Sequence, residues 1–84
     1  MKKTIIKAKN GLHARPASRI VSIANEFKSE ISLKKNGIEY NCKSIMAIMG
    51  SGLSFGDEIE INAIGEDGEE AEITIYEVIE SIEE

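Results

Sequence analysis

The one histidine of the chain lies in the run Gly11-Leu12-His13-Ala14-Arg15-Pro16-Ala17. Three features meet there. Imidazole is a nucleophile near neutral pH. Pro16 suits the first turn of a helix, where a backbone N–H would lack a partner in any case. A helix start offers positive dipole and unpaired N–H groups to an anion. Arg15 adds a permanent cation whose donors match phosphate oxygens. The run therefore describes a nucleophile with an anion cradle around it. No glycine-rich phosphate loop, metal-ligand cluster or second catalytic base accompanies it. That set suits phosphoryl relay, in which a partner protein supplies the rest of the machinery. The bland alternative is a histidine that merely caps a helix.

The elements that must hold this run can be read from apolar spacing. Residues 4–8 predict a strand with Thr4, Ile6 and Ala8 on one face. Residues 16–27 predict a helix with Ala17, Ile20, Val21, Ala24 and Phe27 along one side. Residues 30–35 and 38–42 alternate as strands, and Asn36-Gly37 between them is a tight-hairpin signal, because both residues tolerate positive φ. Residues 44–49 predict a short helix with Ser44 as N-cap, ended by Gly50 and Gly52. Residues 58–64 alternate again. The last segment reads as a helix, with Ala71, Ile75, Val78, Ile79 and Ile82 on one face, although residues 73–76 alone would also fit a strand. The order βαββαβα implies an α+β domain: a four-stranded antiparallel sheet with three helices on one face. The other face, with Lys34, Glu39, Asn41, Glu58, Glu60 and Asn62, is expected to be wet.

Composition narrows the function classes. The chain has 84 residues, enough for one domain over 1–84 and a single core. Hydrophobic residues at 42% and charged residues at 30% fit a globular domain. A net charge of −5 argues against a general nucleic-acid binder. The only Phe and Tyr residues are Phe27, Tyr40, Phe55 and Tyr76, too few for an RNA-stacking sheet. Cys42 is the one cysteine, so no internal disulfide forms, and His13 with Cys42 makes a poor metal set. The N-terminal residues lack a signal peptide's apolar run, and no stretch reaches transmembrane length. The expectation is a cytoplasmic protein without direct membrane binding, cofactor or metal.

The run around His13 resembles the active-site signature of the HPr family, histidine-containing phosphocarriers of the bacterial sugar phosphotransferase system. Lys43-Ser44-Ile45-Met46 resembles the regulatory-serine segment of the Gram-positive-type members. The likeness spans nearly the whole chain and implies that family's open-faced β-sandwich. It further implies that enzyme I phosphorylates the Nδ1 nitrogen of His13, that Arg15 stabilises the phosphate, and that enzyme IIA proteins receive it. It implies that Ser44 is modified by an HPr kinase/phosphorylase, the product partnering a catabolite-control transcription factor. Ile45, Met46 and Met49 then form a partner surface with Arg19 and Lys43, while Ile48 faces the core. A relay protein that shows His13 to successive partners is expected to be a monomer. Gly50-Ser51-Gly52 is glycine-rich for the family and implies a shorter or more mobile helix here. The same fold would also serve a regulatory paralogue or a nitrogen-branch phosphocarrier; paralogues that lost transfer typically lack the histidine. An independent enzyme has little support, since a single nucleophile without a pocket behaves as a carrier.

Overall fold

Asn36-Gly37 is a two-residue turn. Both residues have positive φ, 52° and 81°, and they join two antiparallel strands in which Lys35 pairs with Ile38. The mirror-image turn matches the right-handed twist of the strands. In the computed structural model, which describes residues 1–83, this hairpin is part of a seven-element chain. The elements are β1 (Lys2–Ile5), α1 (Ala14–Ala24), β2 (Glu30–Lys35), β3 (Ile38–Asn41), α2 (Ile45–Met49), β4 (Glu58–Ile64) and α3 (Gly68–Ser81). The sheet order is β1-β4-β2-β3, with every pair antiparallel.

Alternation sends Ile31, Leu33, Ile59 and Ile61 inward, where all four are buried with Ile6, Ile20, Ile48, Ile75 and Ile79. The helices cover this face, and of the expected stripe Ala71, Ile75, Val78 and Ile79 are buried on α3, with Ile82 buried just past its end in extended backbone. The strand reading of 73–76 loses to the helix because the 3.6-residue period reaches the core over the full length. On the outer face the pairs Lys3–Glu60, Glu60–Lys34 and Lys34–Glu39 run as a row of alternating charge across all four strands. Opposite charges at facing positions support the sheet and keep that face wet.

Several boundaries differ from the apolar pattern, two of them instructively, while β3 merely ends one residue early, at Asn41. β1 lies at Lys2–Ile5, not 4–8, although Thr4, Ile6 and Ala8 are all buried as expected. Ile6 still bonds to Asp57 and Gly56, but the chain then turns, so regular pairing ends while the buried face continues. The strand also takes a grip from α3. The terminal ammonium pairs with Glu72, Lys2 lies over Tyr76, and Thr4 and Lys7 donate to Glu80. Those three α3 positions are one turn apart on a single face. The second difference is the end of α1, three residues early. The side chain and backbone N–H of Asn25 both donate to the Val21 carbonyl, and Phe27 closes a tighter turn onto Ala24. Phe27 packs on the core from there.

Asp67 precedes α3 and its carbonyl accepts from the Ala71 N–H, but its side chain makes no cap bond. Its carboxylate instead accepts from the N–H of Lys28 and from the N–H and hydroxyl of Ser29, which is buried. This clasp joins the loop before β2 to the loop after β4. The Ser29 hydroxyl first, then the Lys28 N–H, hold the Asp67 carboxyl down from 3.8 to about 2. A carboxyl depressed on folding stabilises the fold above its unfolded value, and that contribution is lost as pH falls through the folded value. Asp67→Asn removes the charge from this clasp and so lowers the thermal midpoint at pH 7. It also shrinks the loss of stability between about pH 4 and pH 2. Thermal melts across that range check this. An acid limb as steep as the wild type's would show that Asp67 does not set it.

Candidate functional site

His13 is the N-cap of α1, with extended backbone and a carbonyl that accepts from Ala17 at 2.9 Å. Its side chain makes no cap bond and is exposed. The helix therefore uses the backbone of His13 and leaves the imidazole to solvent. Ala14 and Arg15 open the helix and Pro16, which has no N–H to satisfy, is third. The helix thus begins two residues earlier than the apolar stripe suggests, because a start is set by caps rather than by burial.

The loop that delivers His13 is braced from below. Leu12 is buried and its N–H bonds to the Leu53 carbonyl at 3.1 Å. Gly11 has φ +73°, and a Cβ there would stand 2.7 Å from the same carbonyl oxygen. The segment after α2 thus forms the floor of the histidine loop. That segment is itself tied down, since the Ser51 hydroxyl donates to Ile48 and accepts from Leu53. Leu53 carries no signal in the sequence, and Ser51 figures there only within the glycine-rich run Gly50-Ser51-Gly52. Only the glycine at position 11 hinted at a close approach.

Ser44 is the N-cap of α2, and its hydroxyl accepts from the Ala47 N–H at 3.1 Å. The helix is short, five residues, and Gly50 closes it. Ile48 is fully buried, while Ile45, Met46 and Met49 are exposed, Met46 to 78%. One and a half turns cannot hide four large side chains. Among the remaining sequence candidates, Arg15 and Arg19 are exposed on α1. Lys43 is half-buried, and its ammonium bonds to the Phe27 carbonyl. Cys42 is fully buried, and burial pushes its thiol up to about 12, so it supplies no thiolate ligand.

The three helix starts are not alike. α3 opens with Glu69 and Glu70 in its first turn, matching the dipole. α1 and α2 have no acidic residue there, and each has a phosphorylatable side chain at its N-cap. Positive helix ends without their own carboxylate favour an added phosphate.

A family model described as "PTS HPr component phosphorylation site" matches residues 1–81. The chain belongs to the HPr family. Phosphocarrier protein HPr of Borreliella burgdorferi is 45% identical over 83 residues, 99% of this chain and 96% of that one. HPr-like protein Crh of Bacillus subtilis is 45% identical over 69 residues, 82% of this chain and 81% of that one. HPr-C-His from Thermoanaerobacter tengcongensis matches with a TM-score of 0.87 and 44% identity, covering 96% of this chain and 93% of that one. The α+β fold expected from the sequence is thus the HPr fold. The HPr relatives are named phosphocarriers rather than catalytic enzymes. An HPr dimer from T. tengcongensis also matches, with a TM-score of 0.76 and 44% identity over 96% of this chain and 95% of that one. HPr-type chains do form dimers, so the expectation of a monomer does not follow from the family. No helix among the described residues is long and apolar enough to cross a membrane.

Proposed function

We propose that the chain relays phosphoryl groups on His13, taking them from phospho-enzyme I and giving them to enzyme IIA proteins. The observation that carries this reading is the imidazole of His13: exposed, at the positive end of α1, and free of any cap bond. In the transfer, a ring nitrogen (Nδ1 in the family's chemistry) attacks phosphorus and an N–P bond forms. The bond from phosphorus to its donor group breaks, and the donor leaves with the electron pair. The ring's own proton stays on the other nitrogen. The dipole of α1 and the Arg15 guanidinium offset the charge that arrives. Ile45, Met46 and Met49 give the partners an apolar patch to dock on, with Arg19 and Lys43 adding charge. A cytoplasmic location goes with this reading.

Intact-mass measurement after incubation with phosphoenolpyruvate and enzyme I tests it. One added phosphoryl group, lost in acid and stable in base, is the expected result. No gain with an active, matched enzyme I sinks the relay.

A regulatory role at Ser44 is a second reading, favoured by its place at the acid-free start of α2 and by the likeness to Crh. An HPr kinase/phosphorylase would modify the hydroxyl, and the product would partner a catabolite-control transcription factor. Phosphate oxygens there can take over the Ala47 N–H, so the helix survives. Ser44→Asp keeps a good N-cap. It slows phosphorylation of His13 by about tenfold or more, equal to about 1.4 kcal/mol in the barrier, by placing negative charge on the docking surface. Stopped transfer kinetics check this, and an unchanged rate would remove the regulatory role.

A further inference from the structure

Ser51 stands between two glycines in the segment that follows α2. Its hydroxyl donates to the Ile48 carbonyl at 2.7 Å and accepts from the Leu53 N–H at 3.2 Å. The carbonyl of the same Leu53 accepts from the Leu12 N–H at 3.1 Å. Three hydrogen bonds thus run in series from the last turn of α2 to the residue before His13. The flanking glycines raise the weight of the hydroxyl, since neither has a side chain to hold the segment. Gly52 has φ +75°, and a Cβ there would meet nothing within 4 Å. On the far side the segment is tied towards β4, where the Asp57 carboxylate accepts from the Ser54 N–H. Ser51 supplies the side-chain tie to α2.

We infer that Ser51 is a positioning residue for phosphoryl transfer: it fixes the His13 loop relative to α2, and with it the aim of the imidazole. This rests on the relay reading. The ring of His13 makes no cap bond, so its aim follows from its backbone. That backbone is held on both sides. On the helix side the His13 carbonyl accepts from Ala17, and on the loop side Leu12 bonds to Leu53. Ile20 of α1 and Ile48 of α2 also share the core, but apolar packing is non-directional. Hydrogen bonds have preferred lengths and angles, so the Ser51 link places the loop more narrowly. A partner docked on Ile45, Met46 and Met49 grips α2, while its phosphoryl group must meet a ring nitrogen on the loop. A displacement of about 1 Å between the two can cost about 100-fold in rate. Ser51 acts through Leu53 and Leu12, not on the phosphoryl group itself.

The chains compared are the wild type, Ser51→Ala, Ser51→Thr and Ser51→Val, the last having threonine's shape without its hydroxyl. Ser51 is half-buried on a loop, so the variants fold, and thermal melts confirm it. Amide hydrogen exchange on ¹⁵N-labelled protein reads the link. Ser51→Ala and Ser51→Val speed exchange at Leu53 and Leu12 together by about tenfold and leave β2 and β4 unchanged. Ser51→Thr restores both amides. Faster exchange at Leu53 alone, or at neither, overturns the link. Isolated phospho-enzyme I, mixed with increasing excess of each chain, reads the role. The maximal transfer rate falls about tenfold without the hydroxyl, the half-saturating concentration stays within about twofold, and threonine restores the rate. An unchanged maximal rate with loosened amides makes Ser51 merely structural and overturns the positioning role. A loss confined to half-saturation overturns it too, and places Ser51 in the docking surface. A wild type that takes no phosphoryl group refutes the relay and the role together. A phosphorylated wild type matched by Ser51→Ala and Ser51→Val refutes the role alone.

Discussion

Changing His13 to alanine abolishes uptake of a phosphoryl group from phospho-enzyme I and leaves the fold intact. Both halves of this expectation come from the N-cap. The backbone carbonyl of residue 13 holds the Ala17 N–H, and alanine keeps that bond. The imidazole makes no cap bond and is exposed, so its removal strands no buried group. Surface substitutions of this kind change stability by about 0.5 kcal/mol or less, about 2–4 °C in a domain of this size. The chemical loss is all or none, because His13 is the only histidine in the chain. Intact mass and a thermal melt, run on the same preparation, read the two halves separately. Persistent acid-labile phosphate on the variant would point to another acceptor. A melt lowered by tens of degrees would make His13 a structural residue.

Gly11→Ala has the largest expected effect on stability. The residue has φ +73°, and an added Cβ would stand 2.7 Å from the Leu53 carbonyl oxygen. The left-handed conformation costs a side-chain residue about 1–2 kcal/mol. The contact adds to this, because the opposing atom is backbone and is bonded to Leu12. A total of about 2–4 kcal/mol lies at the severe end for one substitution and lowers the thermal midpoint by about 10 °C or more. Phosphorylation of His13 also slows, since Leu12 and His13 ride on the displaced loop. Gly11→Asn separates the causes. Asparagine tolerates positive φ but keeps the Cβ, so it recovers only part of the loss. Urea melts of the two variants check this. A Gly11→Ala protein as stable as the wild type would mean that the loop has room to move.

The helix stripes, the hairpin and the chemistry of the histidine run were legible because each depends on neighbours within a few residues. Asn36-Gly37 makes its turn from its own backbone preferences. α3 overrides the strand-like run at 73–76 because its apolar period is long enough to reach the core. The ends of elements were less legible. β1 stops where β4 stops pairing with it, and α1 stops where Asn25 takes the Val21 carbonyl. Both are decided by a partner or a side chain outside the periodic pattern.

What the sequence determined by itself is local: the order of elements, the buried faces, and a nucleophile placed before a helix beside an arginine. Tertiary structure decided the rest. The order β1-β4-β2-β3 sets the first strand beside the last, and no period within either strand encodes that. Ser29 meets Asp67 across 38 residues. Leu53 comes under Leu12, and Lys9 meets the end of α3. Such contacts join residues far apart in the chain. They exist only once the core has closed, because burying one shared apolar interior brings otherwise unrelated loops to the same place.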